Sequence, residues 1–134
     1  MICTSESNIE SIDKAILIAN SVIDKKGEDP VIIEVKKESD VADYFVVCNA
    51  ASDRGVKTIA DNIEKILKEN NINIFGIEGT IKRNWILIDT SDVITHIFYK
   101  PLREFYDIEG LYIDSPRIDI DLSGELKDSS SIKK

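Results

Sequence analysis

At 134 residues, of which 43% are hydrophobic, the chain has material for one domain with a core and too little for two. Its net charge of −8 has the wrong sign for a generic nucleic-acid binder, and no apolar run reaches the length of a membrane span. One histidine and two cysteines, Cys3 and Cys48, supply neither a disulfide framework nor the usual ligand set of a metal, so free thiols in a reducing cytosol are expected. The acidity suits a basic partner reached by electrostatic steering, as well as plain solubility. The opening MICTSESNIESIDK has no basic region ahead of a long apolar run, and no secretory signal is expected.

Residues 1–7 read as a flexible tail. Ser7-Asn8-Ile9-Glu10 fits a capping box, with Ser7 as N-cap and Glu10 reaching back. Ile9, Ile12, Ala15, Ile16, Ala19, Val22 and Ile23 then recur at helical spacing and predict an amphipathic helix over 8–24, closed by Lys25, Lys26 and Gly27. A strand follows at 30–35. A second, at 43–48, is almost continuously apolar, as in a central strand covered on both faces. Ser52 or Asp53 caps a helix over 53–70 whose stripe is Val56, Ile59, Ala60, Ile63, Ile66 and Leu67. A short strand at 73–77 and the Glu78-Gly79 turn lead into a hairpin. Its strands are 85–89 and 93–99, joined by Thr90-Ser91-Asp92. Pro101 opens a short helix. From 115 onward the polar, Ser-rich sequence reads as a flexible tail. The order α-β-β-α-β-β-β-α over 8–114 predicts an α/β domain, a mixed sheet with flanking helices. Its crossover through the second helix is right-handed if the strands it joins are parallel.

Few residues point to catalysis. His96 lies in mid-strand with no Cys or Ser paired to it by spacing, which is more often structural, and the chain has no nucleophile elbow, P-loop or dinucleotide fingerprint. Asp89 and Asp92 flank a turn, where such residues bond nearby backbone; a metal needs more oxygens. Ser52-Asp53-Arg54-Gly55 opens a helix and is able to meet an anion, yet capping explains Ser52 and Asp53, and Asp53 repels phosphate. Binding is better supported. Trp85, Phe98, Tyr99, Phe105, Tyr106 and Tyr112 crowd one stretch, with Arg103 and Glu104 as a charged rim if the short helix folds back.

Asp43-Tyr44-Phe45-Val46-Val47, Ser52-x-Arg54, Ile59-Ala60-Asp61, Glu78-Gly79, Trp85, Asp89, Asp92-Val93, His96-Ile97-Phe98 and Arg103-x-x-Tyr106 occur in an order that resembles the Iojap/RsfS family of ribosomal silencing factors, across about residues 8–114. The resemblance implies a nucleotidyltransferase-like architecture without catalysis or cofactor. It implies binding to the large ribosomal subunit through large-subunit ribosomal protein 14, a block on small-subunit joining, and in some relatives a homodimer or a role in large-subunit assembly. It places the partner-binding surface at Trp85, Leu87, Asp89, His96, Phe98, Arg103 and Tyr106. Asn49-Ala50-Ala51 departs from relatives with a glycine before the Ser52 position, which weakens any phosphate cradle. Tyr112 stands where relatives often carry Trp. The alternatives are a large-subunit assembly factor using the same surface and, less favoured, a nucleotidyl-transferring enzyme. Its chemistry wants paired metal-binding carboxylates beside a nucleotide cradle, whereas Asp119-x-Asp121 falls in the expected tail.

Overall fold

The two strands of the 85–99 hairpin sit inside a six-stranded mixed sheet in a computed structural model that describes residues 9–119. In chain order the elements are α1 (Ser11–Asp24), β1 (Glu28–Glu34), β2 (Tyr44–Ala50), α2 (Asp53–Glu69), β3 (Gly76–Glu78), β4 (Trp85–Asp89), β5 (Val93–Tyr99), α3 (Lys100–Tyr106), α4 (Ile108–Leu111) and β6 (Arg117–Asp119). The sheet order is β3-β4-β5-β2-β1-β6. Among the described residues only β2 and β5 pair in parallel; β1–β2, β1–β6, β3–β4 and β4–β5 are antiparallel. These pairings make β2 and β3 run the same way, with β5 and β4 between them.

Strand alternation divides the apolar residues between two faces. Ile32, Val46, Cys48, Ile86, Ile88, Val93 and Ile97 face α1 and α2 and join Ala15, Ile18, Val22, Val56, Ile59, Ile63 and Leu67 in the main core. The opposite face carries a smaller cluster of Ile33, Val35, Ala42, Val47 and Phe98. Phe45, Trp85, Ile94, Leu102, Ile108 and Tyr112 pack against it half-buried. β2 contributes to both clusters, as its unbroken apolar run predicts. Within the stripe expected for α2, Ile66 stays half-buried while Asn62 is buried and donates to the Ser21 carbonyl.

Several expectations at element ends change. Helix α1 begins at Ser11 with Glu10 as N-cap and no side-chain cap bond, so Glu10 does not complete a capping box; Ser7 lies outside the described residues. The first turn is held instead by Ser11 Oγ, which donates its one proton to Asp92 at 2.5 Å and lies 3.1 Å from the Asp43 carboxylate. Strand β3 starts three residues later than expected, because its pairing with β4 is confined to Gly76–Glu78. Past Ser115 the chain rejoins the sheet. Glu34 N–H donates to the Pro116 carbonyl, and β6 pairs with β1 at Ile32–Ile118, so the expected tail does not begin at 115. The rest of that expected tail, with the expected N-terminal one at 1–7, lies outside the described residues.

Candidate docking face

The β4–β5 register sets Trp85 opposite Phe98 and Leu87 opposite His96 on the face away from α1 and α2. Phe45 of β2 and Ile94 of β5 are paired on the same face. Pro101 at the start of α3 and the left-handed Asp107 between α3 and α4 fold the chain back over part of this face. Arg103 holds it there. Its guanidinium donates to Glu109 at 2.9 and 3.0 Å, a two-bond fork, and to Asn49 Oδ1 at 2.8 Å. Those hydrogen bonds, ahead of burial that opposes them, keep the Glu109 carboxyl below its ordinary pKa.

The aromatic residues form one connected layer. The Trp85 ring lies 4.9 Å from Phe98 and 4.7 Å from Tyr106, and His96 lies 4.8 Å from Phe45. Trp85 Nε1–H donates to His96 Nδ1 at 3.2 Å. Burial depresses the His96 pKa to about 4, so the imidazole is neutral near pH 7 and carries its proton on Nε2, which finds no partner among the described residues.

This geometry sorts the seven residues expected on the surface. Phe98 is 0% and His96 5% exposed, and both form the floor. Arg103 is an internal pin whose bonds to Glu109 and Asn49 take it out of the expected charged rim; Glu104 is exposed. Trp85, Leu87, Asp89 and Tyr106 reach solvent. Phe45 and Ile94 belong beside them, and sequence reading missed both. Phe105, Leu111 and Ile113, at 76%, 75% and 69% exposed, extend the apolar surface over α3, α4 and the segment after them. Exposed apolar side chains of this kind make the region a candidate interaction surface.

The other candidates read differently. Asp89 accepts the Ser91 N–H as a turn residue. Asp92 instead pairs with Lys14 at 2.6 Å. Burial raises its pKa, but the bonds from Lys14 and Ser11 and the Lys14 charge outweigh this and lower it. Ser52 caps α2 by accepting the Gly55 N–H at 3.0 Å, beside a cavity of about 390 Å³ lined by Asp53, Lys82 and Tyr99. Cys48 is fully buried, which pushes its thiol up to about 12. Among the described residues no group of three or more His, Cys, Asp or Glu is placed to hold a metal, and no helix is long and apolar enough to cross a membrane.

A family model described as ribosomal silencing factor during starvation matches residues 8–134. The chain is 36% identical to the ribosomal silencing factor RsfS of Halalkalibacterium halodurans, over 86% of this chain and 96% of that protein. It is 39% identical to the RsfS of Bacillus subtilis, over 73% and 83%. The crystal structure of a Chromobacterium violaceum protein superposes with a TM-score of 0.76 at 31% identity, covering 78% of this chain and 87% of that one. A more distant relative, 26% identical over 66% of this chain and 40% of its own length, is the mouse protein named mitochondrial assembly of ribosomal large subunit protein 1.

Proposed function

The chain belongs to the family of ribosomal silencing factors, which gives it a ribosome-associated role in silencing or assembly, and from that premise we propose that it docks on the large ribosomal subunit in the cytoplasm and keeps the small subunit from joining. The contact is large-subunit ribosomal protein 14, met by the face around Trp85, Leu87, Asp89 and Tyr106. The observation that carries this reading is the uncovered half of the second sheet face. An aromatic and aliphatic surface, fixed from below by Phe98 and His96, is left open beside a helix pair pinned in place. Repression follows from occlusion and needs neither a reaction nor a cofactor: a patch of ordinary interface size excludes whatever must approach the same surface. A second copy of the chain is a further proposed partner, and light scattering of the purified protein measures that association.

Co-sedimentation with separated ribosomal subunits, run beside a subunit-joining assay, tests the proposal. Binding to the large subunit alone with fewer joined ribosomes is the expected result. Failure to bind either subunit overturns it. The name of the mouse relative favours a second reading, a factor in large-subunit assembly that uses the same face. Binding with no effect on joining, and depletion of mature large subunits when the gene is lost, are the results that select it.

A further inference from the structure

We infer that His96 is a positioning residue: by accepting the indole N–H of Trp85 it fixes the ring at the centre of the docking face and takes up that ring's one hydrogen-bond donor, so that Trp85 meets its partner as an apolar surface. The inference rests on the docking reading above. His96 is 5% exposed, so it offers a partner little surface of its own. Its Nδ1 lies 3.2 Å from Trp85 Nε1 and its ring centroid 6.0 Å from that of Trp85. An acceptor at Nδ1 requires the proton on Nε2, because a neutral imidazole has one donor and one acceptor and an imidazolium has none to spare. The backbone that carries the ring is held on both sides. His96 is paired with Leu87 in β4 and with Val47 in β2, and it meets Phe45 edge-on at 4.8 Å. With Phe98 and Tyr106 against its ring, Trp85 keeps one orientation, and its N–H does not search for an acceptor across the interface. What such an anchor selects is an aliphatic cluster on a protein partner. A partner that relies on a carbonyl or phosphate oxygen to meet the indole finds the donor already taken.

The test uses the full chain labelled with nitrogen-15. A scalar coupling across the hydrogen bond between the Trp85 indole nitrogen and His96 Nδ1, with imidazole shifts of the Nε2–H tautomer, is expected in the unmodified protein. Absence of the coupling, or the other tautomer, overturns the inference without any variant. His96→Asn, whose amide oxygen falls near the place of Nδ1, should keep the indole signal shifted and hold large-subunit affinity within about threefold. His96→Phe should move the indole signal toward its free value and weaken binding about tenfold, the scale of one lost hydrogen bond. If His96→Phe binds as tightly as the parent protein, or if the Asn variant is as weak as the Phe variant, the positioning role is wrong. If the parent protein shows the coupling and binds no subunit, the docking reading fails while the Trp85–His96 bond stands.

Discussion

Trp85 is half-exposed while its ring rests on Phe98 and Tyr106, so it combines a fixed base with an open surface. Large aromatic residues in that situation carry a disproportionate share of interface energy, and Trp85→Ala should cost at least ~2 kcal/mol of large-subunit binding. Because Trp85 packs on the smaller cluster and not in the main core, the variant should remain folded by circular dichroism. A folded variant with undiminished affinity would sink the assignment. His96 predicts a pH dependence. The unfolded chain binds a proton at this side chain near 6.5 and the folded chain only near 4. Between those values the unfolded state holds more protons, so stability falls as the pH drops through the window, by at most about 3 kcal/mol. Asp92 and Glu109, both lowered on folding, act in the same direction at more acid pH: their contributions are present above the ordinary carboxylate range and are lost below it. Denaturant midpoints from about pH 7 to 4.5 should decline in the parent protein and decline less in His96→Phe; a level profile in the parent refutes the account. The strand face that Trp85 shares with Leu87 and Asp89 was legible from alternation in the 85–89 strand. The inward roles of His96 and Arg103 were not, because each is set by residues from other elements: Trp85 and Phe45 for one, Asn49 and Glu109 for the other.

At the scale of elements, α3 and α4 behave as a strap whose buckle is Arg103. The Arg103 and Glu109 side chains are only 11% and 20% exposed, and removing one partner leaves a largely buried charge with few contacts. Arg103→Ala should destabilise the fold by about 2–3 kcal/mol, and Arg103→Lys should recover only part of that, since an ammonium cannot form the planar fork. Chemical denaturation measures both; an Arg103→Lys variant as stable as the parent protein would show that the fork does not matter. The turn into β4 depends on Gly79, whose φ of 89° suits glycine and where an added Cβ would collide with the Trp85 carbonyl. Gly79→Ala should therefore lower the thermal midpoint by several degrees, a cost above ~1 kcal/mol, and shift the fluorescence of Trp85. An unaltered midpoint would count against that strain. Strands β4 and β5 matched their expected bounds at both ends, because alternation, β-branched residues and a polar turn all pointed the same way. Strands β3 and β6 did not, since a three-residue edge strand is defined by its neighbour's hydrogen bonds and not by its own pattern. The start of α1 was misread for a similar reason. Ser11 and Lys14 find Asp43, Thr90 and Asp92 across the fold, and no local motif announces those pairs.

For the whole molecule, a net charge of −8 should make the proposed docking on a basic partner sensitive to salt. The on-rate should fall as ionic strength rises from about 50 to 300 mM while the off-rate changes less, as stopped-flow or surface-based kinetics would show; a salt-independent on-rate would remove steering from the account. The parallel pairing at the centre of the sheet has a further consequence, one of timing. It joins β2 to β5, as at Val47 and His96, roughly fifty residues apart in sequence, and closing so large a loop costs chain entropy before contacts return it. Phe45 comes from one side of that closure and Trp85, Leu87 and Ile94 from the other, so no local fragment can display the face on its own. During synthesis the surface exists only after the hairpin has left the ribosome and crossed to β2. A chain still being made, or one that has lost its central pairing, therefore lacks the proposed docking face, and under that proposal competence to repress becomes a readout of complete folding.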